Sequence, residues 1–279
     1  DETTFAGVAH TALSGAGIAG LLDVLVSPWA TDVTMDKATE HASPGYYAVV
    51  VDGTSIEVAA GRRFGIHRYT NWEGTLYWKG DCSIQALTST SIHGTCTAKF
   101  NERWEKGMYP YAVHFYATTS VPCRVEARSI RCDGRAMEMR IAISYVDPQG
   151  ARRNFEDEDQ DWENLVRSTT SEWGELLGRI QVPIWESDAQ RRTFRTALYR
   201  TMIAPYVHSD VDGRVRGPDG EITNVDFDYY TFLSTWDTFR TWSSVVRLLR
   251  PDVLTNIART AVHHYDIMGT MPRWTAAGL

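Results

Sequence analysis

"DWENLVRSTTSEWGELLGRI", residues 161–180, decides how the chain divides. Its apolar positions are Trp162, Leu165, Val166, Trp173, Leu176, Leu177 and Ile180, with Thr169 at the gap. That spacing lays one apolar stripe along an α-helix, and Pro183 blocks its continuation. Just upstream the period changes. In "AMEMRIAISYV", residues 136–146, Met137, Met139, Ile141, Ile143 and Tyr145 alternate, which is the period of two of a β-strand. "IEVAAGRRFGIHRYT" and "YPYAVHFYATTS" are also rich in β-formers, with Gly, Pro, Asn and Asp between the runs.

Downstream the helical signals continue. Ser187 is placed to cap a helix over 187–204, before Pro205. A polar, glycine-rich loop spans 206–228. Two more helices are predicted near 234–249 and 251–268, with Pro251 in the first turn of the last. Strands followed by helices, and not alternating with them, imply two domains. The expected division is a β-sandwich over 1–157, a linking helix over 158–183 and a helical domain over 184–279. The chain starts at Asp1 and stops after a helix and loop at Leu279, so we expect a processed chain and a fragment of a longer protein.

With 43% hydrophobic and 23% charged residues the composition is that of a soluble globular chain. Lys and Arg number 28 against 35 Asp and Glu, a net charge of −7. This balance argues against nucleic acid, which needs clustered cations to neutralise phosphates. The longest apolar run, "IAGLLDVLV", is interrupted by Asp23 and falls short of the roughly 18 residues of a membrane span.

The cysteines are Cys82, Cys96, Cys123 and Cys132, with no C-x-x-C spacing that would mark a zinc or thioredoxin-type site. Cys123 and Cys132 flank "RVEARSIR", which reads as strand and turn and makes them a candidate disulfide. One or two disulfides in a secreted protein and four buried thiols stay open as alternatives. "GAGIAG", Gly15 to Gly20, has glycine-fingerprint spacing but lacks the buried strand before it and the helix after it, so a small-residue loop is the better reading. "DVDGRVRGPDGE" has an EF-hand outline, yet Val215 stands where the loop needs glycine and Arg214 where it needs a ligand. Asx-turns at Asp210, Asp212 and Asp219 are the preferred reading. His263 and His264 are adjacent on a helix and point about 100° apart, so they do not converge on one metal.

"LSTWDTFRTW", residues 233–242, places Asp237 and Arg240 among Trp236, Phe239 and Trp242. The plain reading is a surface ion pair at i, i+3 spacing. The functional reading is a sugar subsite: aromatic rings cover the C–H faces of a pyranose, while carboxylate and guanidinium bind its hydroxyls. Ten Trp and thirteen Tyr point the same way, although aromatics also fill cores.

Several long segments together resemble glycoside hydrolase family 92. They are "FAGVAHTALSGAGI", "ASPGYYAVVV", "RFGIHRYT", "ISYVDPQGARRNFEDE", "YRTMIAPYVHSDVDGRVRGPDGEI", "YYTFLSTWDTFRTWSSVVRLLRP" and "MPRW", in the family's order. The resemblance implies a secreted or cell-surface exo-α-mannosidase that acts on mannose-containing glycans, depends on calcium and inverts the anomeric centre. It implies an N-terminal β-sandwich joined through helices to an (α/α)6 barrel, the active site lying between them. This chain would then hold part of the sandwich, lacking its first strands, and the start of the barrel, completed by further sequence or a second chain. An inverting pair of carboxyls lies about 6.5–9.5 Å apart to admit water. By the resemblance the general acid, the general base and most calcium ligands fall beyond Leu279, and no catalytic residue is assigned here.

The tryptophan–aspartate–threonine motif carries over to Trp236, Asp237 and Thr238, with Arg240 following. Asp237 is expected on sugar hydroxyls, Trp236 against the ring, and Arg240 orienting Asp237. Asp210 and Asp212 match a D-x-D-G loop and are expected to shape the cleft wall. His10 departs from a pattern with a second histidine two residues on, where Ala12 stands, so no site role is carried to it. The resemblance leaves the linkage open, and also whether the leaving group is a sugar or a phosphate. A carbohydrate-binding sandwich without turnover is the competing class.

Overall fold

The computed structural model describes residues 3–11, 23–98, 111–231 and 233–275. The "GAGIAG" segment lies outside the described residues. The chain opens with β1 Thr4–Phe5, β2 Leu25–Ser27, β3 Val33–Thr34, β4 His41–Ser43, β5 Tyr46–Val51, β6 Thr54–Ala60 and β7 Phe64–Thr70. It continues with β8 Thr75–Lys79, β9 Asp81–Ala86, β10 Ser91–Ala98, β11 Tyr111–Thr119, β12 Cys123–Glu126, β13 Ser129–Cys132 and β14 Ala136–Ser144. An antiparallel eight-stranded sheet has the order β4-β5-β6-β7-β14-β11-β10-β9, and a four-stranded sheet the order β12-β13-β8-β2.

Local chemistry sets the pairings. Asp52 and Gly53 both have positive φ, 47° and 75°, between Val51 and Thr54, which pair across the β5–β6 hairpin. Asp-Gly supplies the left-handed pair of residues that a tight hairpin turn demands. The two sheets pack face to face through Val26, Leu76, Trp78 and Ile130 on one side and Phe115, Met139 and Ile141 on the other. Trp78 stacks on Phe115 with ring centroids 5.5 Å apart.

The outer face of the large sheet is covered as well. Ala59, Phe64, Ile66 and Ala142 pack against Phe155, Trp162 and Leu165. Those three residues come from α1 Pro148–Glu158 and α2 Trp162–Gly178. Strand β7 is therefore buried on both faces over most of its length, and its sequence does not alternate strictly between apolar and polar residues.

Helix α1 covers the outer face of the large sheet within the span read as the sandwich domain. Asp147 caps it by accepting a bond from the Gly150 amide at 2.6 Å, and Pro148 occupies its first turn. Phe155 then lies edge-on to Phe64 and Tyr116, with centroids 5.5 and 5.0 Å away.

After α2 come α3 Asp188–Met202, β15 Tyr206–Val207, β16 Arg214–Arg216, β17 Ile222–Asn224 and β18 Tyr230–Thr231. Ser187 caps α3 through the Gln190 amide at 3.1 Å. The chain then forms α4 Thr235–Thr238, α5 Trp242–Leu249 and α6 Pro251–Met268. A single helix was expected over 234–249, but it is broken at 239–241. Two hydroxyls take up carbonyls there: Ser243 Oγ donates to Thr238 O at 2.9 Å and Ser244 Oγ to Arg240 O at 3.1 Å. Trp242 Nε1 donates to Thr201 O at 2.7 Å, drawing α5 onto the end of α3.

Candidate active-site face

The turn that carries Trp236 and Asp237 is a braced structure. Ser234 forms an antiparallel bridge with Trp274, and Leu233 and Thr275 exchange bonds on either side. Thr235 donates its amide to Arg273 O at 3.1 Å and its hydroxyl to the Pro272 and Arg273 carbonyls. Ser234 Oγ donates to Asp237 Oδ2 at 2.7 Å, leaving Oδ1 without a protein donor among the described residues. Trp236 is 59% exposed. An indole and a half-committed carboxylate thus stand side by side on a fixed turn, open to solvent.

The Arg240 guanidinium lies over the Phe239 ring, 5.4 Å from the centroid, and is not among the ion pairs of the described residues. Helix α4 ends at Thr238, and Arg240 falls in the turn that follows it. The Thr238 hydroxyl is also committed, donating to Ser234 O at 2.9 Å. It braces the turn.

Asp210 and Asp212 are held by partners on the sandwich side and within their own loop. Asp210 is 3% exposed and sits against the sandwich. Its Oδ2 accepts from Ser144 Oγ and its Oδ1 from Asn154 Nδ2, both at 2.8 Å. Gly150 permits this approach, since a Cβ there would lie 2.1 Å from Asp210 Oδ2. Burial pushes the Asp210 carboxyl up to about 6, against the pull of the Asn154 and Ser144 bonds. Asp212 pairs with Arg153 and Arg214 at 2.8 and 2.9 Å. Its other oxygen accepts the Arg214 amide, an Asx-turn, and Asp219 does the same for Glu221. Val215 is fully buried.

A cleft of about 790 Å³ separates the sandwich edge at Ala60–Arg63 from α2, α5 and the 202–207 segment. Trp173, Tyr206, Tyr230 and Trp242 line it, whereas Trp236, Asp237, Asp210 and Asp212 do not. His10 borders this cleft and stacks on His67 at 4.9 Å. Burial lowers the His10 pKa to about 4, so the ring is neutral at neutral pH. Its Nδ1 meets Val24 O at 2.6 Å.

Cys123 and Cys132 lie directly opposite each other on β12 and β13 and form a disulfide. Cys82 and Cys96 do the same across β9 and β10, a pairing the sequence did not assign. Sequence reasoning also missed Arg63, Asn154 and Ser209, which join Asp210 at the seam between sandwich and loop.

Comparison with known families decides the kinship. The Glycosyl hydrolase family 92 N-terminal domain matches residues 1–160, and the Glycosyl hydrolase family 92 catalytic domain matches residues 150–279. The chain belongs to glycosyl hydrolase family 92. No curated protein matches it. Among solved structures, the family 92 α-mannosidase BT3965 from Bacteroides thetaiotaomicron superposes with a TM-score of 0.87 at 23% identity, over 100% of this chain. The same mannosidase has been solved with mannoimidazole bound. The family 92 hydrolase ccman5 gives a TM-score of 0.82 at 22% identity, over 96% of this chain and 44% of its own. The inverting mannosidase BT2199 from Bacteroides thetaiotaomicron VPI-5482 gives 0.76 at 24%, over 89% and 38%. The family 92 chain described here spans 45% of the length of BT3965, and the likeness is one of fold.

Proposed function

We propose that the whole protein is an exo-acting α-mannosidase that releases terminal α-mannose from glycans with inversion. Membership of a hydrolase family supports the reaction class. The observation that carries the reading to this chain is the braced turn on which exposed Trp236 flanks Asp237, with one carboxylate oxygen lacking a donor among the described residues. That pair supplies the two contacts a mannose ring needs, an aromatic face and an anionic acceptor for hydroxyls.

The proposal includes calcium, which would bind sugar hydroxyls. The described residues do not fit the role of its cage: among them no three His, Cys, Asp or Glu side chains converge. Calcium prefers six to eight oxygen ligands, and the two aspartates of the D-x-D-G loop are spent on Ser144, Asn154, Arg153 and Arg214. The ligands, the general acid and the general base are accordingly proposed for the part of the relatives' length that this chain does not span. The two disulfides support a secreted or cell-surface location, since such bonds persist in oxidising compartments. No described helix is long and apolar enough to cross a membrane.

The test is mannose release by the full-length protein from aryl α-mannosides, mannobioses and a mannose-1-phosphate diester, with and without a calcium chelator. Release as β-mannose, lost on chelation and restored by calcium, is the expected result. Cleavage of the phosphodiester alone would redirect the proposal to uncapping. Binding of mannosides without release from any substrate would replace it with a carbohydrate-binding function.

A further inference from the structure

Three consecutive polar residues, His208, Ser209 and Asp210, are almost wholly buried in a segment that sequence marks as a loop. Burying polar groups is costly unless each is bonded, so such a run has to be held by specific partners. Two of the three are pinned to the sandwich. Asp210 is gripped by Ser144 at the end of β14 and by Asn154 on α1. Ser209 O accepts from Arg63 Nε at 2.7 Å, and Arg63 is itself held by Glu158 at 2.8 Å. Asn154 closes the grip by accepting the Val211 amide at 2.9 Å.

The same residues hold the strand that leads into the Trp236–Asp237 turn. Tyr229 donates its amide to Ser209 Oγ at 3.1 Å, and His208 donates its amide to Tyr229 O at 2.7 Å. Tyr206 and Val207 then pair with Thr231 and Tyr230. Tyr230 donates onward to Thr260 on α6. An unbroken set of hydrogen bonds therefore runs from β14 and α1, through residues 208–210, to β18, three residues before Ser234.

We propose that Asp210 is a positioning residue for the Trp236–Asp237 turn. By fixing the 208–210 segment to the sandwich it sets where β18, and the turn after it, stand relative to the eight-stranded sheet. The substrate consequence rests on reading that turn as a mannose contact; the mechanical coupling does not. Gly150 gives the coupling a second handle, because a methyl group there would occupy the place of Asp210 Oδ2.

The experiment compares full-length wild-type protein with Asp210→Ala, Gly150→Ala and Ser144→Ala by hydrogen exchange and steady-state kinetics. In Asp210→Ala, amides of residues 229–237 should exchange about tenfold faster, with those of β7 and β11 unchanged, and KM for an aryl α-mannoside should rise about tenfold with a smaller change in kcat. Gly150→Ala should reproduce the effect, and adding it to Asp210→Ala should change little further. Wild-type exchange across 229–237 in a folded Asp210→Ala protein would overturn the coupling. Faster exchange with an unchanged KM would overturn the positioning role. Should Asp210→Ala not fold, Ser144→Ala is read by the same two criteria. Absence of mannoside turnover in the wild type would remove the sugar assignment, and the exchange data would then decide the coupling alone.

Discussion

Asp237 and Asp210 are two carboxylates with opposite surroundings. Asp237 is exposed and bonded only by Ser234 among the described residues, so its removal costs the fold little. Its value lies in the free oxygen. A charge-assisted bond to a sugar hydroxyl contributes about 1.5–3 kcal/mol, so Asp237→Ala should lower kcat/KM on an α-mannoside about 10- to 100-fold with an unchanged melting temperature. Kinetics with a matched thermal melt check both halves. Asp210 is buried, and its folded pKa of about 6 lies above the ordinary carboxylate range. The native state therefore binds a proton more tightly than the unfolded chain does. The contribution of this group to stability is greatest below about pH 4 and is lost as pH rises through about 6. Subtracting the stability-versus-pH curve of Asp210→Ala from that of wild type should leave a difference that falls over that window. A flat difference would mean that the carboxyl titrates normally.

Two elements show how neighbours overrule local pattern. Helix α1 is short and polar on most of its surface, yet Phe155 anchors it in an aromatic corner with Phe64 and Tyr116. Losing a buried phenylalanine costs about 3–5 kcal/mol. Phe155→Ala should therefore lower the denaturation midpoint by that equivalent, measured by urea unfolding. Its Asp-Pro start was legible as a cap and first turn, but the apolar content, centred on one phenylalanine, was too thin for a periodicity argument. The break between α4 and α5 was not legible in the same way. Serine and threonine are tolerated in helices, and only the packing of Trp242 onto Thr201 O selects the conformation in which Ser243 and Ser244 bond to carbonyls.

At the scale of the molecule, the sandwich is stapled twice, at Cys82–Cys96 and Cys123–Cys132, each across neighbouring antiparallel strands. Closing loops of this length stabilises by about 3 kcal/mol apiece in the chain-entropy account. Reduction should lower the unfolding free energy by a few kcal/mol, read from denaturant titrations with and without reductant; no change would show the staples to be idle. The order of sheet then helix was written in the sequence, because side-chain period is a local property that switches from two to 3.6 near residue 150. So was the Trp-Asp-Thr motif, as a string of residue types. Where those residues point was not, because an ion pair between Asp237 and Arg240 and a stacked Arg240 fit the same letters. Only the tertiary structure turned Arg240 onto Phe239, sank Asp210 against Gly150 and paired Cys82 with Cys96. The last two depend on groups separated along the chain meeting in space, and the first on how the 239–241 turn is held; no local pattern encodes either.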